Sequence, residues 1–449
     1  MNTSSEVKAP AAALADPLNS VPPADAFTSR GGFTYGLLGL PLAFVALPLY
    51  VILPNHYARE FGVPLATLGA ILLGARLFDA VIDPFLGRLS DRLFADSARA
   101  VLKLGALASV VLAIGFALLF FPLVKTPSAL SAWAAVVLVV TYAAYSALSV
   151  SHQSWGAMLG GNESQRSRIV AWREGLGLVG VVLASITPVV LGLPATTALF
   201  FIAILVGWLA WTRAPRPVAA VAVRSVSVSA SAPANMMWVP LQQPAFRALL
   251  GVFLLNGIAS AVPATLVLFF IQDRLQAPQS MEPLFLGVYF VCAALSIPLW
   301  LALVKRVGLA RSWWAGMFLA IAVFAWATQL GAGDTTAFLL VCALSGVALG
   351  TDLALPGAML AGVIQNAGQS GRAEGAYFGW WNFATKLNLA LAAGLALPLL
   401  GLFGYAPGAR DAQALNALVI AYCVLPCVLK AAAAACLYLF IIKKTESSP

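Results

Sequence analysis

A chain of 449 residues that is 61% apolar and only 10% charged is not an ordinary soluble domain, in which about 25% of residues carry charge. Its net charge of +9 fits basic residues gathered in short loops on one side of a membrane, so nucleic acid is not an expected partner. All five cysteines (Cys292, Cys342, Cys423, Cys427, Cys436) fall in apolar stretches of the second half, which excludes a disulfide framework or a metal-binding CxxC pair.

Residues 1–30 combine Pro, Ala, Asp and Ser without an apolar h-region, so they read as an uncleaved, disordered tail. With roughly 20 apolar residues per crossing, spans are expected near 32–56, 64–89, 98–123, 128–158, 166–190, 193–212, 244–272, 281–305, 311–331, 335–364, 372–402 and 412–442. That makes twelve helices. The longest polar interruption, 213–243, holds Arg213, Arg216, Arg224 and a Ser/Val/Ala run, and reads as a flexible linker. It divides a six-helix bundle, 31–212, from a second one, 244–443, with a short tail at 444–449. The expected fold class is an all-α membrane protein of two pseudo-symmetric bundles, the major facilitator architecture, monomeric and surrounded by lipid. The bias of Lys and Arg places both termini in the cytoplasm of a bacterial inner membrane.

Ionisable groups inside such spans are costly and mark function. In the second span Arg76, Asp79 and Asp83 stand at i, i+3 and i+7 on one stripe, and a carboxylate pair one turn apart cradles a small cation, Na+ or H+. One arginine balances only one of the two acids, which leaves a net negative site. Gly87-Arg88-Leu-Ser-Asp91-Arg92 follows and resembles the cytoplasmic loop between helices 2 and 3 of major facilitators, which implies that Gly87, Asp91 and Arg92 form a gate, with Asp91 able to cap a neighbouring helix.

The fourth span carries a polar stripe of Tyr142, Tyr145, Ser149 and His152, with Gln153 and Trp155 beyond it. Tyr145, Ser149, His152, Gln153 and Trp155 are expected to line a substrate cavity, and His152 can sense or relay protons. In the fifth span Arg166 and Arg168 look interfacial, while Arg173 lies two turns deeper, where Asp79, Asp83 or a substrate anion could be its partner and pairing with an acid would order the cation site. Asn256 and Ser260 in the seventh span share a face, and Asn256 is expected in the cavity. Asp352 in the tenth span and Lys430 in the twelfth are deep charges, read equally as a local pair or as part of coupling. In the eleventh span Trp380, Trp381, Asn382 and Thr385 are further cavity residues. Lys386 there is too deep to snorkel and needs a carboxylate, the obvious one being across the pseudo-twofold in the second span.

Four stretches carry a resemblance. They are Arg76-x-x-Asp79-Ala-x-x-Asp83-Pro84-x-x-Gly87, the run from Arg166 to Arg173, Asp352 with Leu355-Pro356, and Arg372-x-Glu374-Gly375-x-Tyr377-Phe378-Gly379 through Lys386 to Gly404-Tyr405. Together they resemble the glycoside-pentoside-hexuronide cation symporters, typified by the melibiose permease. The resemblance implies that Asp79 and Asp83 are the cation ligands, that Lys386 is the helix 11 lysine beside the cation and sugar sites, and that Arg173 is the helix 5 arginine. Substrate would then bind near the midplane between the halves. The acids by which sugar-carrying members hold hydroxyls have no counterpart in Gly39–Ala43 or Ser149–Gln153, which points to a less hydroxylated solute stacked on Trp155, Trp380 or Trp381.

The expected function is cation-coupled symport of a small organic molecule by alternating access, with H+ or Na+ as the coupling ion and no other cofactor. An exporter or lysolipid carrier of the same fold is the alternative; a receptor or assembly factor that does not transport is a third reading. No nucleophile–base pair, metal-ligand cluster or phosphate loop marks an enzyme.

Overall fold

The computed structural model describes residues 27–63, 65–217, 236–402, 405 and 408–446. The first 26 residues of the expected tail, residues 218–235 of the expected linker and the last three residues lie outside the described set. Twelve long helices dominate what is described. They are α1 (Ser29–Leu47), α2 (Leu65–Asp96), α3 (Ala98–Phe120), α4 (Pro127–Met158), α5 (Glu163–Val190) and α6 (Gly192–Thr212) in the first half. In the second half they are α7 (Pro244–Arg274), α8 (Glu282–Val307), α9 (Leu309–Ala327), α10 (Thr335–Asn366), α11 (Glu374–Leu402) and α12 (Ala412–Ile442). The all-α, twelve-span architecture expected from the sequence is present.

Ten helices are both long enough and apolar enough to cross a membrane. The other two, α2 and α11, are long enough at 32 and 29 residues, and they carry Asp79, Asp83 and Lys386. The expected tail ends earlier than residue 30, because Thr28 already caps α1 by accepting a hydrogen bond from Gly31 N at 3.1 Å. Where polar chain is expected between the halves, a short turn at Met236–Trp238 and a helical turn at Val239–Gln242 lead into α7.

Within the first half α1 packs on α5, and α4 packs on both α2 and α3; within the second, α10 packs on α8 and α9, and α7 on α11 and α12. The halves meet along α2 with α11, α5 with α8 and α10, and α4 with α11. One buried apolar cluster is drawn entirely from residues 27–214, and another lies wholly in the second half.

The α2–α11 crossing brings backbone against backbone. A Cβ on Gly87 would collide with the carbonyl group of Gly375, and one on Gly375 with the carbonyl of Gly87. Glycine is the residue that permits such an approach. Gly87→Val should wedge the crossing apart at a cost of about 1–3 kcal/mol. In protein lacking the native cysteines, a cysteine placed at Ala376 should then react with maleimide distinctly faster than it does beside Gly87. Equal rates would mean that the crossing is not held by this contact.

Candidate cation and substrate site

Asp79 and Asp83 sit one turn apart on α2 and are 1% and 0% exposed. Pro84 follows at once; it lacks the N–H that would bond the carbonyl four residues back and so loosens the helix beside the two acids. Lys386 reaches in from α11, with Nζ 2.7 Å from Asp79 Oδ2 and 2.8 Å from Asp83 Oδ2. The same ammonium donates to Ser146 Oγ at 2.8 Å and to the Asp79 backbone carbonyl at 3.2 Å. Ser146 in turn donates to Asp79 Oδ1 at 2.6 Å. The group is thus two carboxylates and one ammonium, with a surplus of one negative charge. Asp83 Oδ1 is buried without a hydrogen-bond partner. An anionic oxygen in that state is expensive, and either a proton or a small hard cation satisfies it; the surrounding donor set is entirely oxygen, as Na+ prefers.

Ser146 was not among the residues singled out in the sequence. It stands one turn beyond Tyr142, beside the polar stripe of α4, so period alone could have included it.

A cavity of about 440 Å³ opens beside this cluster between the halves. Arg76, Tyr145, Ser149, Gln153, Arg173 and Glu174 line it from the first half. Phe253, Asp352, Trp381, Asn382, Thr385 and Lys386 line it from the second. Gln153 Nε2 donates to Ser149 Oγ at 3.3 Å, and Trp381 stacks on Phe253 with ring centroids 3.8 Å apart.

Four expected cavity residues lie elsewhere. His152 is fully buried, stacked on Tyr35 at 4.4 Å, with Nε2 2.8 Å from the Tyr35 carbonyl oxygen. Trp155 is buried against Phe94 and Trp211 and donates to the Pro215 carbonyl at 2.9 Å. At about 100° per residue, His152 and Trp155 are turned progressively away from the Ser149–Gln153 face, toward α1 and α6. Trp380 is likewise a step round α11 from Trp381; it donates to Met237 O at 2.8 Å and packs on Trp238. Asn256 is buried in the second half, where it bonds Asp352 and Lys430 rather than facing the cavity.

Arg173 is also corrected. Its guanidinium pairs with the adjacent Glu174 through Nε and Nη2, not with Asp79 or Asp83, whose inner oxygens are already met by Lys386. It stays on the cavity wall.

Residues 30–444 match the family model described as MFS/sugar transport protein. The chain belongs to that family. It is therefore a multi-pass membrane protein of the major facilitator superfamily, a secondary transporter and not an enzyme. Among curated proteins no match is found. Solved structures share its fold. The crystal structure of a bacterial homologue of the iron transporter ferroportin in an outward-facing state aligns with TM-score 0.69 at 16% identity, over 92% of this chain and 99% of that one. The same homologue with soaked iron gives 0.66 at 15% identity, over 92% and 99%. The Escherichia coli fucose:proton symporter FucP (N162A) gives 0.58 at 13% identity, over 90% and 97%.

The transporter's second half has its own polar cluster. Asp352 Oδ1 accepts from Asn256 Nδ2 at 3.0 Å and Trp313 Nε1 at 2.8 Å, while Oδ2 accepts from Ser260 Oγ at 3.1 Å and Lys430 Nζ at 3.0 Å. Lys430 also donates to Asn256 Oδ1 at 2.8 Å and Ser260 Oγ at 3.0 Å. All four partners of Asp352 come from the second half, so the pair is local. It ties α7, α9, α10 and α12 together.

At the Asp91 end the transporter's halves are clasped twice. The Asp91 carboxylate accepts from Gly375 N at 2.5 Å and Ala376 N at 2.8 Å, and so caps α11. Gly87 lies in the same contact, and Arg92 is exposed beside it. On the opposite side Glu163 Oε2 accepts from Leu309 N, the first residue of α9, at 2.9 Å. There Arg166 also donates to Gln365 Oε1 at 2.6 Å and Gly161 O at 2.9 Å. Arg166 is thus a cross-half contact rather than only an interfacial charge. Glu163 and Gln365 carried no sequence signal, since a lone acid or amide at a helix end looks like ordinary solvated surface.

Removing one member of a buried ion pair strands the other, at roughly 3–5 kcal/mol. Lys430→Met alone should therefore lower the melting temperature of the purified transporter by several degrees. Asp352→Asn combined with Lys430→Met should recover much of that loss. A double variant as unstable as the sum of the two single variants would remove the pair from the account.

Proposed function

We propose that this transporter is a cation-coupled symporter of the glycoside-pentoside-hexuronide type, carrying a small organic solute inward across a bacterial inner membrane. The observation that supports this reading most is Lys386 bridging Asp79 and Asp83 across the two halves. In the empty site the ammonium serves as a tethered stand-in for the coupling ion. A proton or Na+ arriving at Asp83 Oδ1 satisfies the orphan oxygen, cancels the surplus charge and loosens the hold on Lys386, which then turns toward the cavity it already lines. Cargo and cation thereby favour each other, as reciprocal coupling requires. Among the structural neighbours is a fucose:proton symporter, so the fold accommodates proton coupling, while the all-oxygen donor set accommodates Na+ equally well.

Both termini lie in the cytoplasm in this reading, and the clasped Asp91 end faces it. Arg88, Arg92, Arg99, Lys305, Arg306, Arg311 and Arg372 gather there, as the positive-inside rule requires. The cavity between the clasped end and the cation cluster holds the cargo.

A cation that binds the folded protein stabilises it by about 2.7 kcal/mol at about a hundred times its Kd. Na+, or acidification, should raise the melting temperature of the wild-type transporter and leave that of Asp83→Asn unmoved. The same variant should lose the cation dependence of uptake in reconstituted vesicles. A cation response that survives in Asp83→Asn removes Asp83 from the coupling role.

A further inference from the structure

Glu174 is a carboxylate on the cavity wall that neither the cation cluster nor the joining of the halves accounts for. Neighbours on a helix point about 100° apart, yet Arg173 and Glu174 both line the cavity, with side chains 21% and 24% exposed. The guanidinium donates to one oxygen of Glu174, Oε1, through Nε at 3.0 Å and through Nη2. Among the described residues no hydrogen bond reaches Glu174 Oε2 or leaves Arg173 Nη1. The pair thus keeps one charged acceptor and one charged donor in reserve. Among the described lining residues the other carboxylate is Asp352, whose oxygens already accept four hydrogen bonds within the second half.

The packing of α1 on α5 explains why this acid stands on α5. A Cβ on Gly36 would strike the Trp172 carbonyl, one on Gly39 the Arg173 carbonyl, and one on Gly180 the Leu40 carbonyl. Gly39 is itself on the cavity wall, so α1 comes too near α5 at this level to carry a side chain there. The carboxylate that meets the cavity beside Gly39 comes from α5 instead. On α4, Gln153 Oε1 is a second oxygen of this wall without a hydrogen-bond partner. The second half supplies a flat apolar surface, Trp381 stacked on Phe253.

A carboxylate brought to the Arg173–Glu174 pair meets Glu174, and an ammonium meets Arg173; like charges repel at close range, and more so where water is thinned out. A hydroxyl carries no charge and both donates and accepts. Neighbouring hydroxyls on one cargo therefore give a hydrogen bond to Oε2 and take one from Nη1. We infer that Glu174 is the specificity-determining residue of the cavity: it accepts from a hydroxyl of a neutral cargo whose apolar face lies against Trp381, and it keeps Arg173 from capturing an anion. This deepens the reading above of the cavity as the cargo site and rests on it. The absence of acids from Gly39–Ala43 and Ser149–Gln153 then no longer points to a less hydroxylated solute, since α5 provides the carboxylate.

The test measures binding to full-length protein in nanodiscs, with and without Na+ and at acidic and alkaline pH. Two probes are hydroxylated, phenyl glucoside and a phenylbutanediol with adjacent hydroxyls; two are charged, phenylbutanoate and phenylbutylammonium. The diol should bind at least about tenfold more tightly than either charged probe, as one repulsive charge contact at close range allows. Glu174→Gln should weaken both hydroxylated probes at least about tenfold, the effect of losing a hydrogen bond to a charged group, and should tighten phenylbutanoate. Glu174→Asp, which keeps a carboxylate, should preserve the wild-type ranking. If Glu174→Gln does not purify as monodisperse protein, Arg173→Gln combined with Glu174→Gln strands neither charge and should abolish the diol's advantage. Hydroxylated probes that bind Glu174→Gln as tightly as wild type, or a loss shared equally by all four probes, overturn the assignment. So does a wild-type preference for a charged probe, or failure of both hydroxylated probes to bind. A hydroxyl preference that depends on Glu174 but ignores Na+ and pH, in the wild type as in Asp83→Asn, leaves the assignment standing and defeats the cation-coupled reading instead.

Discussion

The contact on which the rest of this structure depends is one ammonium held between two carboxylates from another helix. Lys386 brings α11 to α2, and the two helices lie close enough for Gly87 and Gly375 to touch along their backbones. Each feature needs the other. Without the close crossing the lysine stem would not reach both acids, and without the lysine two carboxylates one turn apart would repel within the membrane. Ser146 completes the arrangement by bonding both Asp79 and Lys386, which ties α4 to the same point.

Two further polar groupings in the interior each lie within one half. In the first half Tyr35 and His152 bond each other's backbone carbonyls and pack against Trp211. In the second half Asp352, Lys430, Asn256, Ser260 and Trp313 form a network in which every polar atom of Asp352 and Lys430 is engaged. The Asp352–Lys430 network, satisfied at each of those atoms, stiffens the helices it joins. Besides the packing of helices between them, the two halves are connected by a few polar contacts: the Lys386 cluster near the middle, and the Asp91 and Glu163 clasps at one end. Motion of one body against the other has to break those contacts and part the packing of α2 on α11 and of α5 on α8 and α10, as rocking of one half against the other in alternating access requires.

The stripe of Arg76, Asp79 and Asp83 and the partnership with Lys386 were legible in the sequence because charge is rare at membrane depth and must be balanced. Asp91 as a helix cap was legible for a related reason, since an acid just beyond a membrane helix is well placed to meet another helix's N-terminus. What the sequence did not reveal is direction. His152, Trp155 and Trp380 belong to polar or aromatic stretches that border the cavity face, and whether each turns toward the cavity or toward a neighbouring helix depends on crossings that have no local sequence signature. Arg173 was assigned to distant acids although Glu174 stood beside it, because adjacent residues on a helix point apart and only long, flexible side chains overcome that. Ser146, Glu163 and Gln365 are small or ordinary residues whose importance comes wholly from what faces them across the halves.

In the proposed symport, the Lys386 bridge between Asp79 and Asp83 gives a physical reason for obligatory coupling. With the site empty, Lys386 is held by its two carboxylates, and in that reading the halves rearrange without exposing an unmatched ammonium. With the cation alone, Lys386 has lost its claim on the carboxylates and stands uncompensated beside a largely apolar cavity. That state is the costly one to enclose, so it stays open until cargo arrives. With both loads bound in this reading, the polar contacts that still join the halves are the two clasps at the Asp91 end. Those are hydrogen bonds to backbone N–H groups and one amide, each of modest net strength, so they give way without demanding a large input of energy. In the proposed cycle a leak of cation without cargo is thus opposed by electrostatics in the middle of the protein, whereas the clasps at its end determine which side is closed.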